Sequence, residues 1–212
     1  MKKEEELRIN LVGEYGEFLK TRSYMEFGVW AGSSMMQIYN LYKNLDGCVT
    51  KFYGFDSFTG LPVESKDVNN PSYWTVGHPN LLNLTLNGNI PDVLKGKEDM
   101  IIMDGWFNDT LTPEFAKSLD QKIGLLHIDC DIYTSAYDAL DFCFRNDLME
   151  SGSIIMYDDW GGYLEKLGPG HEFEAGEGLA HKEIMEKYGI TCEFKDKHII
   201  CPGYEIAVFV IK

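Results

Sequence analysis

Two short apolar runs that end on carboxylates constrain the fold of this chain more than any other feature of its sequence. One run, Ser153 to Gly162 (SIIMYDDWGG), places two adjacent acids and then two glycines after its apolar residues. The other run, Gly124 to Asp131 (GLLHIDCD), also finishes on acids. Runs of this length between turn formers are typical of strands that are buried on both faces of a parallel sheet. We therefore predict two strands whose acids lie at their carboxyl ends.

The acids that follow these two strands are predicted to meet in one crevice, because open parallel sheets bind ligands outside the carboxyl ends of their strands. They are Asp129, Asp131, Asp158 and Asp159. Carboxylates that lie so close raise one another's pKa and destabilise the fold unless protons or a cation neutralise them. A divalent cation is the simplest neutraliser. The alternative is that each acid only caps the helix that follows its strand.

The order of the remaining segments predicts one α/β domain over residues 1–212, a length sufficient for one sizeable core. Further strands are predicted at residues 24–29, 49–55, 99–103, 191–194 and 205–211, with the last one antiparallel. Helices are predicted at residues 4–20, 35–43, 112–119, 135–148 and 179–188. The predicted fold class is a doubly wound, mostly parallel seven-stranded sheet with helices on both faces, which makes a three-layer sandwich.

Two loops are candidates for covering the site, whereas the N-terminal helix has a different predicted role. Residues 59–97 are rich in Gly, Pro and Asn and contain Tyr73 and Trp74, which either close over the site or plug the edge of the domain. Residues 161–178 form a second loop rich in Gly and Pro. The helix at residues 4–20 is expected to pack on the domain or on a second subunit, and the second case predicts a homo-oligomer.

The charge balance narrows the range of partners. The chain has 19 Lys plus Arg against 34 Asp plus Glu, a net charge of −15, which repels nucleic acid backbones. No apolar run approaches the ~20 residues of a membrane span, and the charged start lacks the apolar core of a signal peptide. We therefore expect a cytoplasmic protein that acts on a neutral or cationic small molecule bearing hydroxyl groups.

The first predicted strand leads into a glycine turn, EFGVWAG, over Glu26 to Gly32. Its glycines are spaced G-x-x-x-G, whereas the dinucleotide fingerprint needs three glycines so that a pyrophosphate can approach. An acid two residues before Gly28 suits a ligand that carries positive charge, such as a sulfonium, which favours S-adenosylmethionine over NAD. Asp56 lies 24 residues after Gly32, at the end of the second strand, where such folds hold a ribose hydroxyl pair.

The segments EFGVWAG, YGFDSFTGLP, GWFNDTL, HIDCDIYTSAYDAL and IIMYDDWGG, in this order, resemble the macrocin O-methyltransferase family of class I S-adenosylmethionine-dependent methyltransferases. The resemblance covers residues 22 to 165 and implies an enzyme of natural-product biosynthesis that methylates sugar hydroxyls. The cofactor-binding residues it implies are Glu26, Gly28, Gly32, Ser33, Asp56, Ser57, Phe58, Asp104, Gly105 and Trp106. The Mg²⁺ ligands it implies are Asp129, Asp158 and Asp159.

Methyl transfer requires a hydroxyl oxygen placed against the sulfonium methyl and a group that takes the hydroxyl proton. Bound Mg²⁺ would take two vicinal acceptor oxygens and lower the pKa of one hydroxyl. Asp129 is the first choice for the base and Asp131 the second. His127 lies within a predicted strand and is interpreted as a core histidine, whereas His78 and His171 lie in loops that reach the site only if they close over it.

A metal-dependent glycosyltransferase is the strongest alternative, since Asp129-Cys130-Asp131 is a D-x-D motif after an apolar strand. The acidic turn at Glu26 and the second acid pair have no role in that chemistry. An NAD oxidoreductase would need the third glycine of the fingerprint. A binding protein that had lost the reaction would be expected to have lost these acids.

Overall fold

The computed structural model describes residues 2–63, 76, 89–160, 167–201 and 204–212, and within them a seven-stranded sheet carries helices on both faces. The strands are β1 (Ser23–Phe27), β2 (Phe52–Asp56), β3 (Met100–Asp104), β4 (Ile123–Ile128), β5 (Ile154–Tyr157), β6 (Cys192–Cys201) and β7 (Tyr204–Ile211). The helices are α1 (Lys3–Leu19), α2 (Ser33–Lys43), α3 (Phe107–Thr110), α4 (Pro113–Ser118), α5 (Tyr133–Arg145) and α6 (Gly176–Tyr188), and a 3₁₀ turn covers Asp92–Leu94. The predicted fold class is confirmed.

The sheet has the strand order β3-β2-β1-β4-β5-β7-β6. The first five strands along the chain run parallel, and β7 lies antiparallel between β5 and β6. The antiparallel direction predicted for the last strand is therefore confirmed. The strand order reverses between β1 and β4, so the carboxyl ends of these two strands flank the crevice in which this type of sheet binds ligands.

Strand β6 is longer than predicted. The apolar pattern predicted a strand at residues 191–194, whereas β6 continues to Cys201 and pairs with β7 through two irregularities in register. The extension, KDKHII, is polar at its start because β6 is an edge strand with solvent on one side. Charged residues are common on edge strands, where they discourage pairing with other chains.

Each face of the sheet has its own apolar core. One core lies between the sheet and helices α4, α5 and α6, and the other lies between the sheet and helices α1 and α2. Leu7 and Leu11 of α1 are buried in the second core, which confirms that this helix packs on the domain. No helix within the described ranges is both long and apolar enough to cross a bilayer.

Side-chain alternation along β1 and β4 brings polar groups to the carboxyl edge of the sheet. Met25 and Phe27 face the α4–α6 side, whereas Tyr24 faces the α1–α2 side. Since successive side chains of a strand point to opposite faces, Glu26 shares the face of Tyr24. His127 is paired with Glu26 in the parallel register, and both side chains are completely buried.

His181 of α6 is a buried histidine on the other face. Its Nδ1 lies 2.8 Å from the Tyr157 hydroxyl, and its ring centroid lies 4.4 Å from that of Phe209. Trp160 also packs on this ring. Burial lowers the pKa of His181 to about 4, because the apolar surroundings disfavour the imidazolium.

The replacement His181→Phe is expected to reduce the acid sensitivity of the fold. An unfolded histidine titrates near pH 6.5. Between about pH 6.5 and pH 4 only the unfolded state takes up this proton, so the native state becomes less stable as the pH falls. Removing the group lowers the slope of unfolding free energy against pH in this window by at most about 1.4 kcal/mol per pH unit. Urea unfolding at several pH values measures the slope. Equal slopes for the native protein and the variant would contradict the lowered pKa of His181.

Candidate active site

The carboxyl ends of the parallel strands open into one cavity of about 770 Å³. Its wall includes the glycine turn after β1, the segment after β2, the start of α3, the acids after β4 and β5, and the first residues of α1. One cavity of this size is within the range of small-molecule sites. The turn predicted to bind a cofactor and the acids predicted to bind a cation therefore share one space.

The glycine turn is closely packed against the segment that carries the first acid. Gly28 has φ of 89°, and a Cβ at this position would lie 1.6 Å from the carbonyl oxygen of Asp129. Only glycine combines this backbone angle with so close an approach. Gly32, with φ of 80°, occupies the N-cap position of α2.

Asp56 fixes the glycine turn from the neighbouring strand. Its Oδ2 accepts a hydrogen bond from the Trp30 N–H at 2.7 Å, and its Oδ1 accepts one from the Phe58 N–H at 2.6 Å. Burial raises the pKa of this carboxyl, and the backbone donors oppose that rise. Trp30 and Phe58 both have positive φ, 44° and 53°. Such backbone conformations are uncommon for bulky residues and cluster at functional sites.

Most of the residues predicted to bind the cofactor lie at the cavity. Those that line it are Gly28, Ser33, Asp56, Ser57, Gly105 and Trp106. The others are Glu26, Gly32, Phe58 and Asp104. Glu26 is buried beneath the turn, whereas Asp104 is exposed at the end of β3. Contact of all these residues with a cofactor stays a prediction.

Two exposed indoles also line the cavity. Trp106, one of the residues predicted to bind the cofactor, is 38 % exposed, and Trp30 is 45 % exposed. Aromatic faces of this kind suit a flat or sugar-like ligand. Sequence reasoning did not assign a role to Trp30, although a large aromatic residue between two turn glycines was the available signal.

The four acids lie in two groups. Asp158 and Asp159 are adjacent at the end of β5 and point to opposite faces, and Asp131, with φ of 65°, departs from the extended backbone of β4. Asp129 and Asp158 lie on the α1–α2 face with His127, and one potential ligand atom from each of the three lies within 4.8 Å of the others. Asp159 instead shares a side-chain hydrogen bond with Asp131. The structure thus brings together two of the three predicted metal ligands and places the third in a different pair.

The oxygen donors of the first group fit Mg²⁺, which takes one or two carboxylates and completes its octahedron with water or substrate oxygens. Asp129 and Asp158 supply the two carboxylates and line the cavity. Burial raises the pKa of Asp129 well above its ordinary value, and the nearby charge of Asp158 raises it further. A cation at this position would relieve that repulsion.

His127 joins the cofactor turn to the acid group. Its Nε2 lies 3.2 Å from Oδ1 of Asp158, its Nδ1 lies 3.0 Å from the Tyr24 hydroxyl, and Tyr24 donates to Glu26. Burial alone lowers the pKa of His127, but the hydrogen bonds and charges of Asp158 and Glu26 outweigh it and raise the pKa to about 10. Because the imidazolium donates hydrogen bonds from both nitrogens, neither nitrogen is available to bind a metal cation. The interpretation as a satisfied core histidine agrees with its complete burial.

Arg8 is a site residue that sequence reasoning missed. Its side chain reaches from α1 into the cavity wall, where Nη2 lies 3.3 Å from Oδ1 of Asp158. Nη1 donates to Oε1 of Gln37 on α2 at 2.9 Å. The available signal was position: Arg8 lies three residues before Leu11 and four before Val12, so it shares the buried face of the helix.

Glu177, at the start of α6, was also missed. Its Oε1 accepts from the Cys130 N–H at 3.3 Å, and its Oε2 accepts from the Asp159 N–H at 3.1 Å. Burial and then the charge of Asp159 raise the pKa of this carboxyl. Glu177 therefore ties the segments after β4 and β5 together from the face opposite to Arg8. Its sequence context, GEG, gave no periodic signal.

Asp131, the second choice for the base, has φ of 65° and lines the cavity. Burial and the charge of Asp129 raise its pKa to about 8. His171 is exposed and lies 2.9 Å from Oε1 of Glu174. The predicted cover residues Tyr73 and Trp74, together with His78 and the Gly161-Gly162 pair, lie outside the described residues.

The sequence matches a known enzyme family. The profile described as Macrocin-O-methyltransferase (TylF) matches residues 21–185. The chain belongs to the macrocin-O-methyltransferase family. The predicted family and the enzymatic class, an O-methyltransferase, are therefore confirmed, which decides against the glycosyltransferase and NAD oxidoreductase alternatives. Among curated proteins no relative matches the sequence.

Solved O-methyltransferase structures share the fold. The O-methyltransferase NovP is 18 % identical, with 98 % of this chain and 79 % of that chain covered and a TM-score of 0.63. The calicheamicin methyltransferase CalS11, a TDP-rhamnose 3'-O-methyltransferase, is 16 % identical over 98 % of this chain and 80 % of that chain, with a TM-score of 0.65. An O-methyltransferase from Bacillus cereus in complex with SAH is 13 % identical over 100 % and 82 %, with a TM-score of 0.55.

The replacement Gly28→Ala is expected to disrupt the cavity. The new Cβ would overlap the carbonyl oxygen of Asp129, and the left-handed backbone alone costs about 1–2 kcal/mol. We expect a lower free energy of unfolding in urea and loss of S-adenosylhomocysteine binding in calorimetry.

Gly13→Ala is the matched control for this replacement. A Cβ at position 13 meets nothing within 4 Å, and alanine in this helix interior should stabilise the protein by ~1 kcal/mol without affecting binding. A Gly28→Ala protein with native stability and affinity would show that the close approach has no role.

Proposed function

We propose that this protein is an S-adenosylmethionine-dependent, Mg²⁺-assisted O-methyltransferase that acts on a hydroxyl of a sugar or of a glycosylated small metabolite. The observation that carries the proposal is the single cavity in which the glycine turn and Asp56 lie beside the acids after β4 and β5. Family membership supports the reaction class. The complexes of related folds with S-adenosylhomocysteine support the methyl donor.

The cofactor would lie along the glycine turn. Gly28 lets the turn pack against the segment after β4, and Asp56 is placed at the end of β2 for the ribose hydroxyls. Ser57 and Trp106 would line the adenosine end. Glu26 lies beneath the turn and accepts hydrogen bonds from Tyr24 and from Ser34. Its negative charge favours the positively charged part of the cofactor through the turn.

Asp129, Asp158 and Asp159 would hold the cation, and the proximity of the first two supports their roles most directly. When bound, Mg²⁺ would act as a Lewis acid that lowers the pKa of an acceptor hydroxyl. To bind the cation, Asp159 would have to give up its hydrogen bond to Asp131. His127 and Arg8 hold Oδ1 of Asp158, so they orient this carboxylate toward the cavity.

The acceptor hydroxyl would attack the methyl carbon in line with the carbon–sulfur bond. The oxygen–carbon bond forms as that bond breaks, and S-adenosylhomocysteine leaves with a neutral sulfur. Asp129 is the first candidate to take the hydroxyl proton and Asp131 the second, because both line the same cavity. Burial and the charge of Asp129 raise the pKa of Asp131 to about 8, and a base with a pKa near the working pH is the most effective one.

An acceptor with vicinal hydroxyls would fit this arrangement, since two neighbouring oxygens can share one cation. The TDP-rhamnose methyltransferase activity of CalS11 supports a sugar-type acceptor for this chain. Action in natural-product biosynthesis, a cytoplasmic location, a single domain and a homo-oligomeric state remain predictions, as does the absence of nucleic acid and membrane partners.

Calorimetry of purified protein tests the proposal. S-Adenosylhomocysteine should bind, and the complex should then bind Mg²⁺. Asp129→Asn should abolish Mg²⁺ binding, keep the affinity for S-adenosylhomocysteine and reduce methyl transfer roughly 100-fold or more. Transfer is measured with radiolabelled S-adenosylmethionine and a panel of nucleoside-diphosphate sugars and glycosylated metabolites.

Asp138→Asn is the matched control, because Asp138 lines the same cavity but is exposed and lies outside the close acid group. This variant should bind Mg²⁺ as the native protein does. Binding of UDP with Mn²⁺ in place of S-adenosylhomocysteine would contradict the methyltransferase assignment. Methyl transfer at the native rate in the presence of a chelator would contradict the metal assistance but not the methyltransferase assignment.

A further inference from the structure

Arg8 is an unusual component of the acid group, because it comes from the N-terminal helix and is almost completely buried. Its side chain is 5 % exposed, and the side chain of its partner Asp158 is 7 % exposed. Its Nε is buried without a hydrogen-bond partner among the described residues. Arginine stays charged in proteins, so α1 delivers a permanent positive charge to the strand end that carries a proposed metal ligand.

Two nitrogen donors meet on the same oxygen of that ligand. Nη2 of Arg8 and Nε2 of His127 lie 3.3 Å and 3.2 Å from Oδ1 of Asp158. His127 also faces Glu26, whose carboxylate lies 3.6 Å from Nδ1. Burying a charge is costly unless it is paired. Arg8 therefore neutralises Asp158 when no cation is bound, while Asp129 is the remaining acid of the group.

A divalent cation at Asp129 and Asp158 would lie close to the Arg8 guanidinium. Like charges a few ångströms apart in a partly buried site repel each other, because solvent screens them only in part. The divalent cation and Arg8 thus compete for the carboxylate of Asp158 and repel each other. The only other basic residue in the described wall of the cavity is Lys2, which is exposed.

We propose that Arg8 sets the cation affinity of the active site by competing with the divalent cation for Asp158, and that it links cation binding to the docking of α1. The inference rests on the proposed metal assistance. The same coupling free energy acts in both directions, so a cation that weakens the Arg8 contact loosens α1, and a tightly docked α1 weakens the cation. Gln37 holds the other end of the guanidinium and keeps Arg8 in this position.

Calorimetric titration with Mg²⁺ and with Mn²⁺, on protein saturated with S-adenosylhomocysteine, tests the inference. Arg8→Met keeps the unbranched apolar stem of the side chain and removes the charged guanidinium. We expect this variant to bind the cation roughly ten-fold more tightly than the native protein.

Arg22→Met is the matched control, because Arg22 also pairs with a carboxylate, Glu150, and with a carbonyl of α1, that of Phe18. Its ion pair lies before β5, at the end of the strand opposite to the cavity. Cation affinity in this variant should stay within about two-fold of native. Equal or weaker cation binding by Arg8→Met would overturn the inference and leave the proposed function standing.

Amide hydrogen exchange of the native chain supplies an independent readout. Saturation with Mg²⁺ should increase exchange along α1, and the increase should be absent in Arg8→Met. If that variant does not fold, unchanged exchange of α1 in the native protein overturns the inference. If neither the native protein nor Arg8→Met binds Mg²⁺ or Mn²⁺, the metal assistance is wrong and the inference is overturned with it.

Discussion

The concentration of carboxylates at the carboxyl edge of β1, β4 and β5 is the constraint on which the rest of the site depends. Glu26, Asp129 and Asp158 lie on one face of the sheet, and burial makes their charges costly. The fold compensates with two cations, His127 from the central strand and Arg8 from α1. Docking of the N-terminal helix is therefore an electrostatic requirement of the site as well as a matter of apolar packing.

The acids after β4 and β5 lie in two groups, because the adjacent Asp158 and Asp159 point to opposite faces of the sheet. Asp129 and Asp158 face the α1–α2 layer and form the group that fits a cation, whereas Asp159 turns to Asp131. Glu177 secures the backbone between the two groups by accepting hydrogen bonds from the N–H groups of Cys130 and Asp159, which follow β4 and β5. A carboxylate beside a cation site is the arrangement that the proposed Mg²⁺-assisted methyl transfer to a hydroxyl would use.

Much of this architecture is readable from local patterns. The apolar runs before Asp129 and Asp158 predicted buried parallel strands, and the glycine turn with Asp56 predicted the cofactor side of the cavity. Contacts between segments distant in the chain were not readable, since 150 residues separate Arg8 from Asp158. The length of β6 was missed because a solvated edge strand does not need an apolar pattern.

A crystal of the protein grown with S-adenosylhomocysteine and Mn²⁺ tests the central claim most directly, because anomalous scattering locates the cation without reference to activity. The account predicts a Mn²⁺ peak bound to the carboxylates of Asp129 and Asp158, in the same cavity as the cofactor and close to its sulfur. A cofactor bound elsewhere than along the turn at Gly28, or a cation bound away from both carboxylates, would contradict the account.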